Sequence, residues 1–201
     1  MTHSIIFGGT FDPIHHGHLI TAQAAREVLG ADEVILVPAR ISPHKLDQTA
    51  ASSADRLAMV TLAIQGVLGF EICTSEIDRE GASFTIDTVE ILRQRHPGRR
   101  FTLLIGADQL PRLHTWRRVH ELLAMVDVAI LGRPNAAAFS IESTLGPVIA
   151  ERLQRSRLDT PLVEISSTDI RARMAAGQPI HFLVPPAVEN FIRQNHLYCT
   201  L

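Results

Sequence analysis

Short apolar runs alternate along the chain with segments whose apolar residues recur every three or four positions. Residues 4–7 read as a buried strand, and 33–37 (Glu-Val-Ile-Leu-Val) as a second, closed by Pro38. Between them Ala22, Ala25 and Leu29 lie at helical spacing, with Gly30 suited to the position after a helix end. Ser53 is placed to cap a helix carrying Leu57, Val60 and Ile64 on one face. Phe70-Glu71-Ile72-Cys73 reads as a strand, and 86–95 as a helix ended by Pro97-Gly98. Phe101 to Ile105 is another apolar run that stops at a glycine. Trp116 to Ala124 has a helical pattern, and a strand follows at 128–131. A last unit runs from a strand at 162–165 into a helix from about 168 to 176, with Gly177 behind it. Pro185-Pro186 precedes a terminal helix near 187–195. Segment 132–160 is the least patterned and reads as long loops with one helix.

Strands alternating with helices predict βαβ units and a parallel sheet covered on both faces, an α/β fold. With no repeat, low-complexity tract or linker, residues 1–201 read as one domain. In such sheets ligands bind outside the carboxyl ends of the strands, where strand order reverses. Those ends hold Gly8-Gly9-Thr10, Pro38-Ala39-Arg40, Gly106-Ala107-Asp108, Gly132-Arg133-Pro134 and Ser166-Ser167-Thr168.

Composition adds bounds. Apolar residues make up 46% and charged ones 20%, as in an ordinary globular protein. A formal net charge of −2 gives no general attraction for nucleic acid or membrane, so anion binding must be local. Two cysteines, Cys73 and Cys199, lack CxxC spacing, which fits a reducing cytoplasm. No basic N-terminal region leads into a long apolar segment, and no run approaches the ~20 residues of a membrane span. Monomer and homo-oligomer are both compatible with the pattern.

The densest chemistry follows the first strand, in Gly8-Gly9-Thr10-Phe11-Asp12-Pro13-Ile14-His15-His16-Gly17-His18. Two glycines after a strand allow a tight turn and close approach of backbone to ligand. The chain then enters a helix near His16 to His18. His15 and His18, three apart, fall on one face, whereas His16 points away. A helix N-terminus presents free N–H groups and partial positive charge, so turn, helix start and imidazole pair together make a phosphate site. A rival use is zinc, with His44 or Asp12 as third ligand, although glycine-rich backbone is what phosphates use. Solvated loop histidines are the plain alternative.

This stretch resembles the N-terminal signature of the nucleotidyltransferase superfamily with an HxGH motif. Within it, the chain resembles the nicotinate-nucleotide (nicotinate mononucleotide) adenylyltransferases from Ile6 to Tyr198, least so over 136–160. The resemblance implies a Rossmann-like doubly wound sheet. It also implies transfer of AMP from ATP to nicotinate mononucleotide, giving deamido-NAD and pyrophosphate in NAD biosynthesis. Nicotinamide mononucleotide, or both acceptors, is the alternative. Phosphopantetheine adenylyltransferases share similar motifs but are shorter.

Further motifs gain roles from this resemblance. Ser166, Ser167, Thr168 and Arg171 open the last helix. Unaided, the hydroxyls read equally as helix caps. The likeness to an ISSTxxR motif implies binding of the ATP β- and γ-phosphates. Ser42-Pro43-His44-Lys45 matches a PHK pattern, implying that Lys45 reaches the phosphates near the reacting centre. Arg40 stands either as a further anion contact or in solvent. Gly106 and Asp108 match a G-x-D element that contacts nucleotide, the alternative being a helix cap. Arg133 lies in an RPG-like element that departs at Asn135. Ser83, Phe84 and Thr85, with Trp116, surround the nicotinate ring in the family, which usually has Tyr where this chain has Phe84. Without the family, Trp116 reads as core.

The implied ATP contacts are therefore Gly8, Gly9, Thr10, Phe11, His15, His18, Gly106, Asp108, Arg133, Ser166, Ser167, Thr168 and Arg171. The implied acceptor contacts are Gly9, Thr10, Lys45, Ser83, Phe84, Thr85 and Trp116. His15, His18, Lys45 and Arg171 are the expected catalytic groups. Mg²⁺ is expected on the ATP phosphates, with no metal ligand from the protein. A phosphate beside the imidazoles is expected to raise their pKa above ~6.5.

Overall fold

The computed structural model describes residues 1–40, 51–132 and 141–199. Lys45, His44, Arg133 and Asn135 lie outside them. Five strands form one parallel sheet with helices around it: β1 (His3–Gly9), β2 (Glu33–Pro38), β3 (Phe70–Ile72), β4 (Arg100–Gly106) and β5 (Asp127–Leu131). Their order is β3-β2-β1-β4-β5, so the direction of winding reverses between β1 and β4. Ile6 faces Leu103 and Leu103 faces Val128 in register. The middle strands β2, β1 and β4 each bury five residues in a row, as strands covered on both faces do, while the edge strand β3 buries none fully. The reversal is the place where such sheets bind ligands, beyond Gly8 and Gly106.

The helices in chain order are α1 (His16–Val28), α2 (Ser53–Ile64), α3 (Ser75–Asp78), α4 (Thr85–Arg95), α5 (Val119–Met125), α6 (Glu142–Leu145), α7 (Pro147–Arg155), α8 (Ser167–Ala175) and α9 (Pro186–Gln194). Helix α4 buries Ile86, Val89 and Leu92 on one stripe and ends at His96, before Pro97. Pro186 opens α9 in the first turn, where its missing N–H is no loss.

Contacts divide the chain into two compact units. The first comprises Met1–Gly8, Thr21–Ile35 and Phe84–Leu162, and the second Gly9–Ile20, Leu36–Ser83 and Val163–Leu201. In the first, Ile5, Ile6, Leu103, Leu104, Val128 and Ile130 form the sheet core. Buried polar groups there are satisfied in pairs: the Ser4 hydroxyl donates to Glu33, itself paired with Arg99, and the His3 ring bonds to the Thr102 hydroxyl at 2.8 Å. In the second, Phe11, Ile14, Met59, Val60, Ile170, Val184 and Val188 are buried.

Four sequence expectations fail locally. The cap of α2 is Ser52, whose Oγ accepts the Asp55 N–H at 3.1 Å, and Met59 rather than Leu57 lies deepest on its inner face. The helix expected at 116–124 starts only at Val119, as α5, and a 3₁₀ segment, Ala107–Thr115, precedes Trp116. Residues 162–165 form no strand: Leu162 and Glu164 are exposed, so the run buries neither face. The outer side of Ile130 is taken instead by backbone bonds to Ser156 and Leu158. Finally, 141–155 carries two helices, α6 and α7, where one was expected.

Candidate functional site

The loop that leaves β1 is built around close approaches. A Cβ on Gly9 would sit 2.9 Å from the Phe11 ring, and one on Gly17 would sit 2.9 Å from His15 Nδ1 and 3.4 Å from the Ile165 carbonyl. Glycine is thus required at both places, once to admit Phe11 and once to let α1 begin against His15. Phe11 has φ +50° and is buried, meeting His18 edge-on at 5.1 Å. Its ring is therefore packing. The Asp12–Pro13 peptide is cis.

His15 and His18 stack with ring centroids 3.6 Å apart and planes 21° off parallel. Their bonds are reciprocal. The His15 N–H donates to His18 Nδ1 and the His18 N–H to His15 Nδ1, both at 3.3 Å. An Nδ1 that accepts carries no proton, so each neutral ring bears its proton on Nε2. Burial, with the charge of His16 second, pushes His15 down to about 4. In the free protein the shift is thus opposite to the rise expected beside a phosphate. His15 is a neutral Nε2–H donor at physiological pH. His16 donates its N–H to the Leu183 carbonyl and serves as a backbone anchor.

The Ser166–Arg171 motif, some 150 residues on, meets the same loop inside the second unit. Ser167 Oγ donates to the Pro13 carbonyl at 2.9 Å, and Arg171 Nη1 to the Asp12 carbonyl at 2.8 Å. Ser166 is a helix cap, accepting the Asp169 N–H at 3.1 Å. Thr168 accepts from Arg171 Nη2 at 3.4 Å. With Asp169 N–H capped, the first-turn N–H groups of Ser167 and Thr168 are the donors α8 presents at its start.

Sequence reasoning missed Arg56. It is 1% exposed, and Nη1 donates to the carbonyls of Thr10 (2.7 Å) and Ala39 (2.6 Å) while Nη2 donates to that of Arg40 (3.0 Å). Burial lowers its pKa against the raising influence of Asp12 and Tyr198. A signal was present: Arg56 shares the helical stripe of Met59, Val60 and Ile64, where an arginine is out of place. Arg40 points to neither of its expected ends; it donates to the carbonyls of Ile77 and Arg79. Its N–H donates to Ser83 Oγ, so that buried hydroxyl works within the fold.

The remaining candidates belong to the first unit. Gly8 ends the β1 segment there, and a Cβ added to it would meet nothing within 4 Å. Asp108 is exposed, folds over Gly106 and accepts from Gln109, while the 3₁₀ segment has no side-chain cap. The capping alternative for Asp108 is therefore excluded. Phe84 precedes Thr85 at the start of α4, whose first turn also has no side-chain cap. The Arg117 guanidinium lies 4.7 Å above the Phe84 ring. Trp116 is half-buried, and its indole N–H is buried with no partner among the described residues. Among those residues no three His, Cys, Asp or Glu side chains are grouped to hold a metal ion.

Comparison with known proteins agrees with this arrangement. The model of the cytidylyltransferase-like family matches residues 6–173. A Halalkalibacterium halodurans protein named "probable nicotinate-nucleotide adenylyltransferase" is 44% identical over 97% of this chain and 90% of its own. One of the same name from Bacillus pumilus is 39% identical over 96% of each. The fold matches the Plasmodium falciparum nicotinic acid mononucleotide adenylyltransferase complexed with NaAD, with a TM-score of 0.75 at 20% identity over 98% of both chains. The strand-end glycines, the paired imidazoles and full-length relatives at this identity agree: the chain belongs to the nicotinate-nucleotide adenylyltransferase family of cytidylyltransferase-like proteins.

Proposed function

We propose that the protein transfers the adenylyl group of Mg-ATP to nicotinate mononucleotide, forming deamido-NAD and pyrophosphate in NAD biosynthesis. The observation that carries this is the meeting of two phosphate-binding motifs on one loop, through Ser167 on Pro13 and Arg171 on Asp12. The names of the full-length relatives supply the acceptor. The acceptor's 5′-phosphate oxygen attacks the α-phosphorus in line, and pyrophosphate leaves. That oxygen is already an anion, so no base is needed, and rate comes from alignment and charge stabilisation.

His15 and His18 offer Nε2–H donors to the α-phosphate and the leaving oxygen. Arg171 and the start of α8, at Ser167 and Thr168, take the departing phosphates. Gly8, Gly9 and the backbone of Thr10 and Phe11 lie against the triphosphate. Lys45 and Arg133 keep the phosphate roles that the family likeness gives them. Gly106 and Asp108 serve the adenosine ribose. The uncapped start of α4 at Thr85 suits the ring carboxylate, and Phe84 and Trp116 suit the ring. Mg²⁺ arrives as part of the substrate, on phosphate oxygens and water. A reducing cytoplasm goes with this reading, in which the thiols of Cys73 and Cys199 stay free.

The test is incubation with Mg-ATP and, separately, nicotinate mononucleotide, nicotinamide mononucleotide and phosphopantetheine, with pyrophosphate measured. Release is expected chiefly with nicotinate mononucleotide. Equal or greater release with the amide changes the acceptor, and silence with all three ends the transferase reading.

A further inference from the structure

We infer that Tyr198, in the turn after α9, is a positioning residue for the imidazole pair, acting through its hydrogen bond to the buried carboxylate of Asp12. The kinetic part of this inference rests on the transferase reading above.

Asp12 is 3% exposed between buried Phe11 and Ile14. A carboxylate in such a place must be hydrogen-bonded. Its Oδ1 accepts from Tyr198 Oη at 2.7 Å and from the Ala51 N–H at 3.3 Å. The same loop is held at its carbonyls: Thr10 by Arg56, Asp12 by Arg171 and Pro13 by Ser167. Four bonds from α2, α8 and the turn after α9 thus pin residues 10–13. None is local, since the partners are 46, 159, 154 and 186 residues apart. From Asp12 the loop leads within three residues to His15.

The turn is shaped for this contact. His196 and Tyr198 have φ +49° and +63°, a left-handed conformation uncommon outside glycine, which persists where surroundings impose it. The Leu197 N–H already ties the turn to the Ile192 carbonyl, so the phenol is not needed to end α9. Burial and the bond to Asp12 push the phenol's ionisation well above its usual range, so it remains a donor at any working pH. The reciprocal imidazole bonds are long, at 3.3 Å. A small shift of the loop breaks them, and with them the alignment of two Nε2–H groups.

Tyr198→Phe keeps the ring and removes the hydroxyl. At saturating Mg-ATP and acceptor its kcat is expected to fall at least tenfold, with both KM values within threefold and a cooperative melt above the assay temperature. Asp12→Ala is expected to lose as much or more, and the double variant no more than Asp12→Ala, because the phenol acts through that carboxylate. The imidazole ¹⁵N–¹H signals of His15 and His18 in the free protein should shift or broaden in Tyr198→Phe, although the phenol's bond goes to neither ring. A purely packing role leaves those signals in place. Unmoved signals, an unchanged kcat, or losses that multiply in the double variant would each overturn the inference. If no acceptor yields pyrophosphate, the transferase reading fails and the imidazole signals still decide this one. Should Tyr198→Phe not melt cooperatively, Asp12→Asn replaces it. That variant keeps an acceptor for the phenol and should move the same signals by less; no movement is again fatal.

Discussion

A neutral imidazole offers one donor, and which nitrogen carries it is decided by what the other nitrogen accepts. His15 and His18 settle this for each other, each Nδ1 receiving the other's backbone N–H. The pair therefore presents two Nε2–H donors without needing a proton from solution. That matters for His15, whose burial holds it near 4. His18→Ala removes one donor and also the acceptor for the His15 N–H. A single placed donor to developing charge is worth about 3 kcal/mol, so kcat should fall by about 100-fold or more. The KM for ATP should change little, because Arg171 and the start of α8 remain. Pyrophosphate release at saturating substrate reads this, and a kcat within tenfold of the parent removes His18 from the reacting centre.

Helices were legible where one apolar stripe decided them, as in α4 and α9, whose buried residues recur at three and four. Failures came where burial is decided by distant chain. Residues 162–165 have a strand's composition but bury neither face, and Trp116 follows a 3₁₀ segment interrupted by Pro111. Helix α2 holds the sharpest case. Its stripe contains Arg56, and the periodic pattern alone cannot say why a guanidinium sits among Met59 and Val60. The structure answers with three carbonyls, those of Thr10, Ala39 and Arg40 after β1 and β2, which receive its N–H groups. Arg56→Met keeps the volume and deserts those acceptors. Breaking a buried charged set of this kind costs about 3–5 kcal/mol, to be measured as a lower midpoint in urea. A loss under about 1 kcal/mol would mean that water reaches the carbonyls.

At the scale of the whole molecule, the sequence placed candidate chemistry after its apolar runs but could not say which of those places meet. Periodicity is blind to a contact between Ser167 and Pro13, which are 154 positions apart, and family likeness alone joined the two motifs. The bond from Tyr198 to Asp12 left no trace in the pattern, since one hydroxyl alters no period. Burying His15 has a global consequence that follows from its sign. Its folded pKa, about 4, lies below the unfolded 6.5. Between those values the unfolded chain binds a proton that the folded one refuses, so stability rises with pH through the window and is lost as pH falls from 6.5 towards 4. At 1.36 kcal/mol per unit the full loss is about 3 kcal/mol. His3, lowered by burial and then by Arg100, acts in the same sense, so the test is a difference. Urea unfolding of the parent and of His15→Asn, compared at about pH 7.5 and about pH 4.5, should show the parent losing about 2–3 kcal/mol more. Equal losses would mean that the His15 ring is open to water in solution, and the stacked, mutually bonded pair would then not be its resting state.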